Sequence, residues 1–118
     1  MKKYHEKDSD LVSFLDSMFI EKGLSKNTIK YYKSDILDAF NWSILNHKVT
    51  LKKIKKYEIE GYITYLFNKN YKSNTVNRKI SSLKAFFLFL LKKGQISENP
   101  LSDLPSPKQE KKITSINF

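Results

Sequence analysis

Apolar residues recur along this chain at helical spacing, in separate runs divided by short polar breaks. Leu11, Val12, Leu15, Met18 and Phe19 share one face of a first helix from about Ser9 to Lys22. Asp8 or Ser9 is placed to cap it, and Gly23 stops it. A second run, Ile29, Tyr32, Ile36, Leu37 and Phe40, predicts a helix from a cap at Ser25 to about Leu45, where "NHKVT" breaks the pattern. Ile59, Ile63, Leu66 and Phe67 predict a third, from about Lys56 to Asn68, despite Gly61 inside it. The fourth starts at an expected cap, Ser73, and ends before Gly94, with Val76, Ile80, Leu83, Phe87, Leu90 and Leu91 as its stripe. Between Ala85 and Leu91 it is apolar almost all round, the pattern of a helix end surrounded by neighbours.

All three prolines lie in "SENPLSDLPSPK", which has no periodicity and reads as a turn and then an extended linker. The pattern therefore predicts an all-α fold: a tail (1–8), one helical domain (9–104) and a linker (105–118) toward a further domain. With 118 residues, 40% of them hydrophobic, the chain supports a single core. The absence of Cys excludes a disulfide framework and a thiolate metal site. The longest apolar segment is far short of a membrane span, so a cytoplasmic location is expected, with no membrane partner.

Charge changes the picture through its placement. The net charge is +10, and 21 of the 22 basic residues are Lys. Lys, Asn and Ile supply 41 of the residues, as an AT-rich coding sequence tends to produce, so the total alone says little. The distribution says more: residues 1–24 sum to −1, residues 73–94 to +5, and there is no acid between Glu60 and Glu98. A localised basic surface is the usual footprint of nucleic-acid binding.

Catalytic chemistry is missing. His5 and His47 have no partner at ligand spacing and read as surface histidines, and no phosphate loop, nucleophile elbow or metalloprotease motif is present. Asp35 and Asp38 read as a solvated helix surface, and "KKIKK" (Lys52 to Lys56) as a solvated connector. No metal, cofactor or small-molecule substrate is expected. The tyrosines at helical spacing read as core or core-edge residues rather than base-stacking platforms.

Two helices open with nearly the same text, "LSKNT" and "YKSNT". Free amides and the dipole make helix starts good phosphate sites, although Ser and Asn also cap helices for purely structural reasons. A basic face follows each start. The candidate DNA-binding residues are Ser25, Lys26, Asn27, Thr28, Lys30 and Lys33 on the second helix, and Lys72, Ser73, Asn74, Thr75, Arg78, Ser81 and Lys84 on the fourth. Arg78 is the one Arg of the chain, a planar donor fork suited to bases and phosphates, and its own helix supplies no acid to pair with.

The segments "FLDSMFIEKGLSKNTIKYYKSDI", "KSNTVNRKISSLKAFFLFLLKKG" and "NPLSDLPSPK" together resemble the N-terminal core-binding domain of tyrosine recombinases, the phage integrase family, and most closely its bacterial Xer group. The resemblance rests on the order of Asn27-Thr28, Tyr32, Asp35, Arg78, Ser81, Phe86-Phe87, Asn99-Pro100 and Pro107-Lys108, and covers residues 10–112. It implies a four-helix, SAM-like orthogonal bundle that grips duplex DNA with its second and fourth helices. It also implies a catalytic domain after the linker, possible contact with a second recombinase subunit, and service in chromosome dimer resolution or DNA integration. Family catalysis uses a Tyr nucleophile with two arginines; a chain with one Arg does not hold that site. Family members often carry several arginines on the fourth helix where this chain has Lys79, Lys84 and Ala85, which implies thinner bidentate readout and more phosphate contact. The alternative is a helical protein-interaction domain whose basic face is composition bias; a third reading is a free-standing accessory protein.

Overall fold

The computed structural model describes residues 8–103, and within them the regular structure is four helices: α1 (Ser9–Ile20), α2 (Lys26–His47), α3 (Lys56–Asn68) and α4 (Ser73–Lys92). The expected linker, and the expected tail apart from Asp8, lie outside the described residues. No helix among the described residues is long and apolar enough to cross a membrane.

Local chemistry sets the helix ends. Asp8 caps α1, its Oδ1 accepting from the amides of Asp10 (3.0 Å) and Leu11 (3.1 Å). At the other end the left-handed backbone of Gly23 (φ 65°) lets the Leu24 amide reach back to the Met18 carbonyl. Ser25 caps α2 as expected, accepting from the Thr28 amide at 3.2 Å. α2 runs past Leu45 to His47, and its last turn is tied by Asn46 Nδ2, which donates to the Trp42 carbonyl at 2.9 Å. α3 opens with the Lys55 amide donating to Glu58 at 2.8 Å. α4 differs from expectation: Ser73 is its first helical residue, and the cap is Lys72, which has no side-chain oxygen to offer the first amides.

Phe14 is the hub of the core. Its ring meets Phe86 edge-on at 5.3 Å, Phe89 at 5.5 Å and Tyr32 at 5.6 Å, while Phe40 meets Phe86 at 5.6 Å. This cluster joins α1, α2 and α4, and its three Phe–Phe pairs have the T-shaped geometry that aromatic quadrupoles favour. A second cluster, Trp42 with Tyr62 and Tyr65, joins α2 to α3. Several expected faces are corrected. On α1 the buried residues are Leu11, Phe14 and Met18, whereas Val12 and Phe19 are exposed. On α3 Tyr62 is buried and Phe67 exposed. The apolar end of α4 is not enclosed on every side, since Leu88 is exposed. Each of these helices has apolar residues on more than one side, and packing against the neighbours selects which side is covered.

The connectors are packed. In the α2–α3 connector Leu51 and Ile54 are buried, while Lys52 bridges to Asp10 of α1 (2.9 Å) and to Gln95 (3.2 Å), and Lys56 pairs with Asp103. The segment after α4 is a strap packed onto the bundle through residue 103. Leu101 is fully buried, and its amide donates to the Asn99 side chain at 2.9 Å.

Candidate nucleic-acid interface

The candidate residues lie on α2 and α4, which pass each other in opposite senses. Leu24 and Tyr32, at the start of α2, line one cleft with Ala85, Leu88 and Lys92 of α4. Trp42 and Leu45, near the end of α2, line another with Tyr71 and Lys79. The two similar helix starts therefore stand at opposite ends of the seam, and the exposed faces of both helices lie between them.

Along those faces Ser25, Lys26, Asn27 and Lys30 on α2 are exposed, as are Lys72, Ser73, Asn74 and Ser81 at and along α4. Thr28, Lys33, Thr75, Arg78 and Lys84 are half-buried. Ser25 is occupied as a cap: besides receiving the Thr28 amide, its hydroxyl donates to the Thr28 Oγ1 at 3.1 Å. No acid lies between Lys26 and Ser34 or anywhere in α4. Of the candidate cations, Lys26 and Lys30 on α2 and Lys72 at the start of α4 stand exposed.

Beneath it lies a cluster that the helical pattern alone does not announce. Asp35 is buried and accepts from Arg78 Nε (3.0 Å) and Nη2 (2.7 Å), from Ser82 Oγ (2.7 Å) and, more weakly, from Lys79 Nζ (3.4 Å). Lys79, also buried, donates to Asp38 at 2.9 Å. Tyr31 lays its ring 4.6 Å from the guanidinium carbon of Arg78, and Tyr71 faces Lys79 at 5.5 Å. No buried side-chain nitrogen or oxygen among the described residues lacks a partner, so both charges are fully accommodated.

Three expectations change here. Asp35 is not part of a solvated surface; only Asp38 is, with its side chain 54% exposed. Arg78 is not without an acid, because α2 supplies what α4 lacks. Lys79 and Ser82, absent from the candidate residues, complete the cluster. A signal for it exists in the sequence. Asp35 fills the slot between Tyr32 and Ala39 in the buried stripe of α2, and Lys79 fills the slot between Val76 and Leu83 in that of α4. Polar residues in core slots on two helices are expected to find each other.

Electrostatics favours the charged forms of the two bases in the cluster. The hydrogen bond to Asp35 raises the Arg78 pKa further above its ordinary value. Burial by itself pulls Lys79 down, but Asp38 and Asp35 more than offset it, and the net shift is upward. Two acids facing two bases make the cluster neutral as a whole. Elsewhere, burial raises the Tyr62 hydroxyl well above its usual range. His47 lies 3.6 Å from Glu58 and edge-on to Trp42. No group able to hold a metal occurs among the described residues, and His5 lies outside them.

Comparison with known proteins gives a consistent answer. The model of the phage integrase N-terminal SAM-like domain matches residues 11–94. Tyrosine recombinase XerD of Rickettsia conorii is 32% identical over 106 residues, 90% of this chain and 34% of its own. Tyrosine recombinase XerC of Staphylococcus haemolyticus is 32% identical over 99 residues, 84% of this chain and 33% of its own. The corresponding protein of Anoxybacillus flavithermus is 34% identical over 100 residues, 85% of this chain and 33% of its own. The chain spans about a third of the length of these relatives. No solved structure matches. With the all-helical fold and the match over most of its length, the chain belongs to the family of phage integrase N-terminal SAM-like domains.

Proposed function

We propose that this chain is the DNA-binding module of a Xer-type tyrosine recombinase, holding duplex DNA across the exposed faces of α2 and α4 during chromosome dimer resolution or integration of mobile DNA. The observation that carries the reading is the sorting of charge. From Lys26 to Ser34 and through all of α4 every charged side chain is cationic, and the acids that follow on α2 are engaged by Arg78 and Lys79. The lysines supply counterion release, and the exposed Ser and Asn side chains at the helix starts supply phosphate donors. Strand cleavage belongs to another part of the protein, because the sole Arg of this chain is committed to Asp35. A cytoplasmic site of action follows from a chromosomal DNA partner.

The test is fluorescence anisotropy of a labelled duplex of about 30 base pairs, roughly three helical turns, titrated with the chain at several salt concentrations. Log affinity is expected to fall linearly with log salt, and Lys26→Ala combined with Lys30→Ala to flatten the slope by about 2. Binding indifferent to salt, or the same slope in the double variant, overturns this assignment and favours a helical protein-interaction module.

A further inference from the structure

Resting on that reading, we propose that Arg78 is the specificity-determining residue of this face, reading a guanine in the major groove, with Asp35 and Tyr31 as its positioning residues. A guanidinium offers two bidentate edges. The edge formed by Nε and Nη2 is taken by the two oxygens of Asp35, at 3.0 and 2.7 Å. The end formed by Nη1 and the second Nη2 hydrogen points away from the carboxylate. That end is the fork that matches the O6 and N7 acceptors of guanine. Its side chain is 38% exposed although its Nε–Nη2 edge is fixed, so the residue is open to a partner from solvent.

Phosphate is the other partner such a fork takes, and two observations argue against it. The first is charge. Arg78 sits in a neutral group with Lys79, Asp35 and Asp38, so a phosphate there meets two carboxylates as well as two cations. A hydrogen-bond readout needs donors in the right place rather than net charge, and the cluster keeps the donors. The second is rigidity. With Asp35 along one edge and the Tyr31 ring 4.6 Å away over its face, the guanidinium is held in orientation as well as position. Base recognition demands that precision, whereas the exposed Lys26 and Lys30 satisfy phosphate with mobile point charges. Burial of the acid does not require Arg78 either, since Ser82 and Lys79 already donate to Asp35.

The experiment is selection of bound duplexes from a random pool with the full chain and four variants, with helical content and thermal melting recorded for each. The parent chain is expected to enrich one guanine position. Arg78→Lys keeps the charge and loses the fork; it is expected to bind the pool with the same salt dependence but to lose roughly tenfold or more of the preference for guanine. Tyr31→Ala, a surface change, and Asp35→Asn are expected to weaken the same preference with Arg78 still present. Tyr31→Phe, which keeps the ring, restores it. Retention of the guanine preference in Arg78→Lys overturns the inference, as does a parent chain that binds every duplex alike; both leave the DNA grip standing. Failure of the parent to bind any duplex at low salt overturns the DNA reading itself, and the inference with it.

Discussion

The seam between α2 and α4 contains two kinds of interior within a few turns of helix. In one part Phe40 and Phe86, with Phe14 from α1, interlock through rings 5.3 to 5.6 Å apart. In another, Asp35, Arg78, Lys79 and Ser82 meet through hydrogen bonds of 2.7 to 3.4 Å. The aromatic half is non-directional and contributes stability in proportion to the apolar surface it buries. The ionic half gives back in attraction much of what desolvation takes, so its net contribution is small while its geometry is strict. One half holds the helices together, and the other fixes how the Arg78 and Lys79 side chains are aimed.

The sharpest way to break that comparison is to damage each half separately. Phe86→Ala is expected to lower stability by about 3–5 kcal/mol, read from the urea midpoint, because three helices lose a shared ring. Asp35→Ala removes the acceptor common to Arg78, Lys79 and Ser82 and is expected to cost about 3 kcal/mol, the penalty of leaving a buried cation short of its partner. If the division of labour is right, replacing Asp35 and Lys79 together by Leu and Met restores most of that loss yet leaves DNA selectivity impaired. Leu101→Ala is expected to cost about 2–3 kcal/mol by the same unfolding measurement, since the strap behaves as core.

A finer distinction comes from pH. The folded pKa of Lys79 lies above its ordinary 10.5, so its contribution is fully present below that value. It is lost as pH rises through the raised value. Denaturation of the parent chain above pH 10.5 should therefore show an alkaline decline that is shallower in Lys79→Met, where the raised Tyr62 hydroxyl still contributes, whereas Phe86→Ala keeps it in full. The smallest effect is expected at the exposed Lys56–Asp103 pair, which holds the Asp103 pKa below 3.8. Asp103→Asn should leave the melting temperature at neutral pH nearly unchanged.

The halves also differ in how far they can be read from sequence. Helix positions follow from spacing and caps, and α3 spans Lys56–Asn68 where the pattern puts it. Burial is less legible. Phe14 and Tyr62 are central while Phe19 and Phe67 face outward, because a helix with apolar residues on several sides leaves the choice to its neighbours. The exposed lysines and helix starts of the candidate interface are visible as local text. The ion cluster is not, since Arg78 and Asp35 are 43 residues apart and each reads alone as a surface charge. Only the placement of Asp35 and Lys79 inside otherwise apolar stripes hints that they are paired.

DNA is proposed to lie across α2 and α4. Amide chemical shifts of the isotope-labelled chain, followed while a short duplex is added at low salt, test it residue by residue. The largest changes are expected at Lys26–Ser34 and at Asn74, Arg78 and Ser81. Changes confined to the outer faces of α1 and α3, around Phe19 and Tyr57, would contradict it.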